Sequence, residues 1–436
     1  MSRSWELVAA MARVGTIGFG GGSALIPVVE KEVVERRRLL DDATFTAHTV
    51  IANVTPGALP VKLGALAGAT VGGGRASAAA ALAVAIPGSA ATVGLLAGFS
   101  VVGAGAIRYV EFAAVGITAF IIVLLVSYIA KVLRGQRVGV AVAIMAVVFL
   151  ATGANQLVRM VAMLAGSGPG VRLPRLPSVP ALTVILVAIV LIGLSALWWR
   201  SADDAVAPEV IASPGRGTTS GALWFLGAML AAGLAGWWLA GVRGVGFLGL
   251  VAASTVSSFG GGEAYVGVAD GFFVGPGIVD PATFYGQIVP VANALPGPIL
   301  VKIAGGMGFV VGEADGVAVG LGLATLAIVV AVSSCAAIAL VILGAWSRFA
   351  HSLFLRRLGR FILPVICGLL ATTMCSMVVA NGEIGVRAGL PATWLAWGTL
   401  GLAALLWWLH VRFRAHDFVL LGIGGGASLL VLSLAS

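Results

Sequence analysis

Two stretches of this 436-residue chain repeat each other at a fixed distance, and a Pro-Gly pair interrupts both. Phe19-Gly20-Gly21-Gly22 returns as Phe259-Gly260-Gly261-Gly262, an offset of 259 − 19 = 240 residues. Asn53-Val54-Thr55-Pro56-Gly57 returns as Asn293-Ala294-Leu295-Pro296-Gly297, and Val61-Lys62 as Val301-Lys302, at the same offset. Glu30 then meets Asp270, Gly68 meets Gly308 and Gly72 meets Gly312, with no gap needed between Phe19 and Gly72. A chain with 62 glycines matches glycines by chance, but one offset uniting Asn, Pro and Lys marks an internal duplication. The fold has to accommodate two copies of one broken motif.

Most of what surrounds these copies is apolar. Apolar residues make up 60% of the chain and charged ones 10%, where a soluble globular chain carries roughly 25% charged. Soluble enzyme classes are thereby excluded. Runs such as Ala181–Trp199 and Ala222–Gly241 have about the 20 residues a transmembrane helix needs. The net charge of +9 is spread in short clusters between such runs, which reads as topology signals and not as a nucleic-acid surface. Cys335, Cys367 and Cys375 lie in apolar segments without CxxC spacing, and the 4 histidines are scattered. Neither a metal site, a cofactor nor a disulfide framework is indicated. The N-terminal stretch shows no small-residue cleavage site and is expected to be retained.

The first copy occupies residues 1–200. It has two Gly/Pro-interrupted segments, Trp5–Glu35 and Ala43–Gly74, and then plain apolar segments near 76–101, 108–131, 138–164 and 181–199. Residues 201–243 hold a linker and one connecting helix, 221–241. The second copy, 244–436, repeats the order: interrupted segments 245–275 and 282–312, then plain ones near 316–345, 361–380, 390–410 and 417–434. Each arm of an interrupted segment has ~11–15 residues, short for a crossing, so these segments are read as re-entrant hairpins. About nine crossings and four hairpins result, with five crossings between the copies, so the second copy is inverted.

Charge placement agrees with that inversion. Arg36-Arg37-Arg38, Arg75, Lys131, Arg134, Arg137, Arg200, Arg216, Arg348, Arg356, Arg357, Arg360, Arg412 and Arg414 mark a cytoplasmic side. Asp270, Asp280, Glu313, Asp315 and Glu383 gather opposite, while Arg159, Arg172, Arg175 and Arg243 go against the rule. If the broken segments span instead, about thirteen crossings result. The expected fold is an all-α polytopic membrane protein of two inverted-topology repeats, each with two Gly/Pro-broken re-entrant hairpins and about four transmembrane helices, joined by one extra helix. Trp198-Trp199, Trp237-Trp238 and Trp407-Trp408 read as interface anchors.

Irregular backbone at membrane depth persists only where protein or a water-filled cavity covers it. Pro56-Gly57 and Pro296-Gly297 break two helices at equivalent places, and the half-helix after each break is expected to offer N–H groups and a positive dipole end to an anion. Lys62 and Lys302 follow five residues beyond Gly57 and Gly297. A cation at mid-membrane costs from ~2.5 to well over 10 kcal/mol, which marks both for function unless they snorkel to the interface. Asn53 and Asn293 either coordinate the anion or bridge their hairpins internally. Gly20, Gly21, Gly22, Gly260, Gly261 and Gly262 either line the substrate or allow close helix approach. Glu30, Glu263, Asp270 and Glu111 are candidates for proton coupling, with a solvated interfacial carboxylate as the plain alternative.

The strings FGGGSALIPVVEKEVVERRRLLDDATF at Phe19–Phe45 and NVTPGALPVK at Asn53–Lys62 resemble the chromate ion transporter family, as do FGGGEAYV and NALPGPILVK in the second copy. The likeness covers nearly the whole chain in the family's long, two-half form. It implies efflux of chromate, an oxyanion shaped like sulfate, through the bacterial inner membrane. Where the family usually carries Gln before its Pro-Gly-Pro and an amide six residues past the first Pro, this chain has Asn53 and Asn293, then Lys62 and Lys302. The first copy also reads Pro-Gly-Ala.

The function expected is a secondary transporter exporting chromate or a similar tetrahedral oxyanion such as sulfate, bound near the midplane between opposed half-helix N-termini. A small-anion channel, or a transporter of another anion, is the alternative. A membrane-embedded enzyme would need a nucleophile–base pair or metal cluster that the apolar segments do not supply. No GxxxxGK[ST] loop suggests a nucleotide-driven pump. The partners implied are the oxyanion and membrane lipid, without nucleic acid and with a homodimer left open.

Overall fold

The computed structural model describes residues 2–18, 25–102, 104–134, 136–166, 176–198, 217–259, 262–345, 353–413 and 417–435, and every regular element among them is helical. Helix α1 (Arg3–Ile17) starts on Ser2, whose side chain accepts from the Trp5 N–H. Helix α2 (Ile26–Glu30), with proline in its first turn, runs on as a π-helical segment, Lys31–Arg36. Asp41 caps α3 (Asp42–Val54) by accepting from the Thr44 N–H at 2.7 Å, and that bond holds its carboxyl below the usual carboxylate range. Pro56-Gly57 ends α3, and α4 (Leu59–Val102) restarts the chain, with its own break at Gly73 where φ is +82°.

The plain segments follow as α5 (Ala104–Arg134), α6 (Val138–Leu164) and α7 (Ala181–Trp198). Helix α8 (Thr218–Val256) turns at Ala240 and Gly241, so the connecting helix and the first arm of the second copy form one kinked element. Helix α9 (Gly262–Ala269) continues as π-helical Asp270–Val274. Helix α10 (Pro281–Thr283), π-helical Phe284–Ile288 and α11 (Val289–Ala294) lead to the second Pro-Gly break. Helices α12 (Ile299–Glu313), α13 (Val317–Gly344), α14 (Leu353–Arg387), α15 (Ala392–Phe413) and α16 (Asp417–Ala435) complete the chain.

Seven of these helices are long and apolar enough to cross a bilayer. Shorter apolar helices cover Thr183–Ser195, Ala264–Val274 and Val419–Ala435. The exposed rings of Trp237, Trp238, Trp407 and Trp408 suit a lipid-facing surface, while Trp199 lies outside the described residues.

The helices pack into two compact units, each drawing segments from both sequence copies. Unit 1 comprises Met1–Val93, Ile185–Tyr265 and Leu295–Leu363; unit 2 comprises Gly94–Val184, Val266–Ala294 and Pro364–Ser436. In unit 1 the buried carboxylate of Glu32 is held by Arg36 at 2.7 Å, Arg13 at 3.3 Å and Arg37 at 3.8 Å. Arg37 also donates to the Glu6 carbonyl and Arg3 to the Leu39 carbonyl. The basic run that marks topology in the sequence thus also ties α1 to the turn after α2.

In unit 2, α5 and α16 approach closely at Gly116 and Gly424. Ser428 donates to the Phe112 carbonyl at 2.6 Å and accepts from the Gly116 N–H at 2.9 Å. A β-carbon on Gly116 would meet the Gly424 carbonyl, whereas one on Gly426 would meet nothing. Gly116→Ala should therefore lower the thermal unfolding midpoint in lipid nanodiscs, at a cost of roughly 1–3 kcal/mol for overpacking. Gly426→Ala, measured the same way, should leave the midpoint unchanged or slightly raised.

Candidate functional site

Both Pro-Gly breaks lie in unit 1, and each is closed by the other sequence copy. The Gly57 N–H donates to the Ser258 carbonyl at 2.6 Å, and the Gly297 N–H donates to the Gly18 carbonyl at 2.8 Å. Gly57 and Gly297 stand 240 residues apart, as do Gly18 and Ser258, so this is one bond exchanged between copies. The φ angles of Gly57 and Gly297 are +97° and +94°, a region where a side chain strains the backbone. A β-carbon on Gly57 would strike the Cys335 thiol of α13, and one on Gly88 of α4 would strike the Pro296 carbonyl. A second-copy helix thus covers the first break, and a first-copy helix covers the second.

The N–H of the glycine inside each break is not open to an anion, because a carbonyl of the other copy takes it. The next one in the first copy, on Ala58, donates to Cys335 Sγ at 3.1 Å, and Pro298 has none to offer. The cause is burial: a buried N–H left without an acceptor costs free energy, so the protein itself fills these positions.

Lys62 and Lys302 are buried at the breaks, 2% and 1% exposed. Lys62 Nζ donates to the carbonyls of Ala52 and Thr55 at 2.5 and 2.6 Å, and Lys302 Nζ donates to the Leu295 carbonyl. Thr55 and Leu295 are again equivalent under the 240-residue offset. Each lysine turns back to the carbonyls of the chain entering its own break, where the dipole of a helix C-terminus favours a cation.

Asn53 and Asn293 donate to the carbonyls one turn back, Thr49 and Val289, both at 2.8 Å, which engages each amide within its own arm. Gly262 opens α9 and packs against Ile299, while Gly20, Gly21, Gly22, Gly260 and Gly261 lie outside the described residues. Of the carboxylates, Glu30 is half-buried in α2 of unit 1, the side chain of Glu263 lies outside the described ones, and Asp270 belongs to unit 2. Glu111 pairs with Arg387 at 3.0 Å. Among the described residues no three of His, Cys, Asp and Glu converge on a metal position.

Two buried hydroxyls escaped the sequence reading. Ser258, whose carbonyl closes the first break, and Ser89, next to the Gly88 that abuts Pro296, have side-chain oxygens with no hydrogen-bond partner among the described residues. A signal for Ser89 was present in Pro87-Gly88-Ser89, a third Pro-Gly pair within an apolar segment.

The membrane-length helices mark a multi-pass membrane protein. The chain belongs to the chromate transporter family, whose profile it matches over residues 5–171 and 247–429. It is 37% identical over 102 residues to the uncharacterized transporter YwrB of Bacillus subtilis, covering 23% of this chain and 52% of that protein. With the uncharacterized transporter YwrA of the same organism it shares 35% identity over 80 residues, covering 18% of this chain and 45% of the relative. The chain thus spans about half the length of the curated relatives it matches. No solved structure matches it.

The glycine at the first break carries two separable constraints. Gly57→Ala should lower the unfolding midpoint through its positive φ, by ~1–3 kcal/mol, and through the contact with Cys335. Adding Cys335→Ala should relieve the sulfur contact but leave the φ strain and take the acceptor from the Ala58 N–H. Thermal melts of the single and double variants in nanodiscs check this, with partial recovery expected.

Proposed function

We propose that this protein is a secondary transporter, not an enzyme, that carries a tetrahedral divalent oxyanion out of the bacterial cytoplasm across the inner membrane, chromate being the substrate and sulfate a competitor. The observation that carries this is the pair of buried lysines, each held by carbonyls beside a break that the other copy closes. A lysine that swings from those carbonyls to an oxyanion exchanges neutral acceptors for a charged one, a stronger hydrogen bond. The Ser89 and Ser258 hydroxyls add donors, which a chromate or sulfate ion accepts through its oxygens. Family membership supplies chromate by analogy.

The two copies run in opposite directions through the membrane, with hairpins one and two opening to the cytoplasm and hairpins three and four to the outside. The exchanged Gly57–Ser258 and Gly297–Gly18 bonds fit a two-fold relation between the copies, and the odd number of crossings read between them favours an axis in the membrane plane over one along its normal. Single cysteines replacing Arg37 and Gly271 in a cysteine-free background should label from opposite sides. Labelling from one side overturns the inverted arrangement.

Flux in proteoliposomes tests the substrate. Chromate uptake should saturate, run against a chromate gradient when driven, and fall when sulfate is added. Lys62→Gln and Lys302→Gln should each weaken a divalent anion roughly tenfold more than a monovalent one, since Coulomb attraction scales with ligand charge. Equal losses for both would assign the lysines to packing, and flux that never runs uphill would favour a channel. In chromate-sensitive bacteria, expression should lower cellular chromium.

A further inference from the structure

Unit 2 contains an open cavity of about 1540 Å3 that the transport site does not use. Its wall includes Asp270 of the π-helical segment after α9, Arg159, Asn155 and Gln156 of α6, and Glu383 and Arg387 of α14. Asp270 accepts a 2.5 Å hydrogen bond from the hydroxyl of Tyr285, whose ring is buried. Tyr285 lies in the second π-helical segment, Phe284–Ile288, so both partners sit on widened helical turns of a kind found frequently at functional sites.

The surrounding charges leave this carboxylate to itself. Arg387 pairs with Glu111 at 3.0 Å, and Glu383 faces Arg159, Arg387 and Asp280 electrostatically. Among the described residues Asp270 makes no ion pair. An anionic carboxylate in an apolar helix such as Ala264–Val274 is costly unless something neutralises it. A metal cation fits poorly, because two guanidinium groups share the wall and one carboxylate with one phenol falls short of a cation's usual oxygen shell. A proton needs neither, and water in an open cavity delivers it.

The duplication shows that the pair is particular to one copy. Glu30 stands where Asp270 does, but Phe45 stands where Tyr285 does, so the first copy lacks the equivalent hydroxyl. We propose that Asp270, held by Tyr285, is a proton-binding site reached through the unit 2 cavity, and that its loading couples proton movement to anion transport. The proton adds to the carboxylate from cavity water on one side of the membrane and is released to water on the other in the transport cycle, while Tyr285 keeps its own. Only the coupling rests on the oxyanion reading above; the proton site stands without it.

Infrared difference titration of the purified protein in nanodiscs tests the site directly. A carboxylic-acid C=O band should appear as pH falls and be missing in Asp270→Asn. Tyr285→Phe should keep the band and move its midpoint up by ~0.5–1 pH unit, because a donor to the charged form is lost. Identical spectra for wild type and Asp270→Asn, or an unmoved midpoint in Tyr285→Phe, overturn the proposal.

Proteoliposomes with an entrapped pH dye test the coupling. With a chromate gradient at alkaline pH, where chromate is divalent, wild type should change the luminal pH. Asp270→Asn should keep chromate exchange and lose that change, and an intact pH change in this variant overturns the coupling. Absence of chromate flux in wild type beside an intact infrared band overturns the oxyanion reading instead.

Discussion

A helix broken inside a bilayer leaves backbone N–H and C=O groups that lipid cannot satisfy, at a cost of several kcal/mol each. The two Pro-Gly breaks meet this constraint by exchange, Gly57 with Ser258 and Gly297 with Gly18. Much of unit 1 follows from that solution. The close seats of Cys335 against Gly57 and of Gly88 against Pro296 hold the partner carbonyls in reach, and each break and its cover come from different copies. The carbonyls on the near side are met by Lys62 and Lys302, so each break is closed by an N–H donated outward and an amine turned inward.

The lysines therefore do two things at once. As hydrogen-bond donors to Ala52, Thr55 and Leu295 they hold the ends of the entering arms, and in the transport reading proposed above they are also the cations that meet the anion. Neither role excludes the other, because the carbonyls are neutral and an oxyanion competes for the same donors. A charged group whose native partners are neutral acceptors can be redirected by a ligand, whereas one locked to a carboxylate, as Arg36 is to Glu32, is less readily drawn away.

Helix positions were legible wherever apolar length alone decides them: α6 occupies 138–164, the bounds read from hydropathy, and the kinks at Gly73 and Gly241 fall where glycine interrupts long apolar runs. The breaks and their lysines were legible because a Pro-Gly pair and a buried cation are both costly in apolar surroundings and so stand out from them. What the sequence could not display was exchange. A repeat reports that two segments are alike, not that each completes the other, so the carbonyls that take the N–H groups of Gly57 and Gly297 were not legible. Ser258 carried no periodic signal, the Pro-Gly pair before Ser89 pointed to a bend and not to its hydroxyl, and Tyr285 gained meaning only once its hydroxyl was seen on Asp270.

Exchange also sets a timetable for the growing chain. Gly57 leaves the ribosome 258 − 57 = 201 residues before Ser258, the residue that accepts its N–H. At ~5–20 residues per second the first break enters the bilayer roughly 10–40 s before its acceptor has been made. During that interval the first copy needs a substitute partner, such as interfacial water, lipid headgroups or the walls of the insertion machinery. The second break meets no such delay, because the Gly18 carbonyl is already in place when Gly297 arrives. Two breaks that are alike in the finished molecule are thus unequal during synthesis.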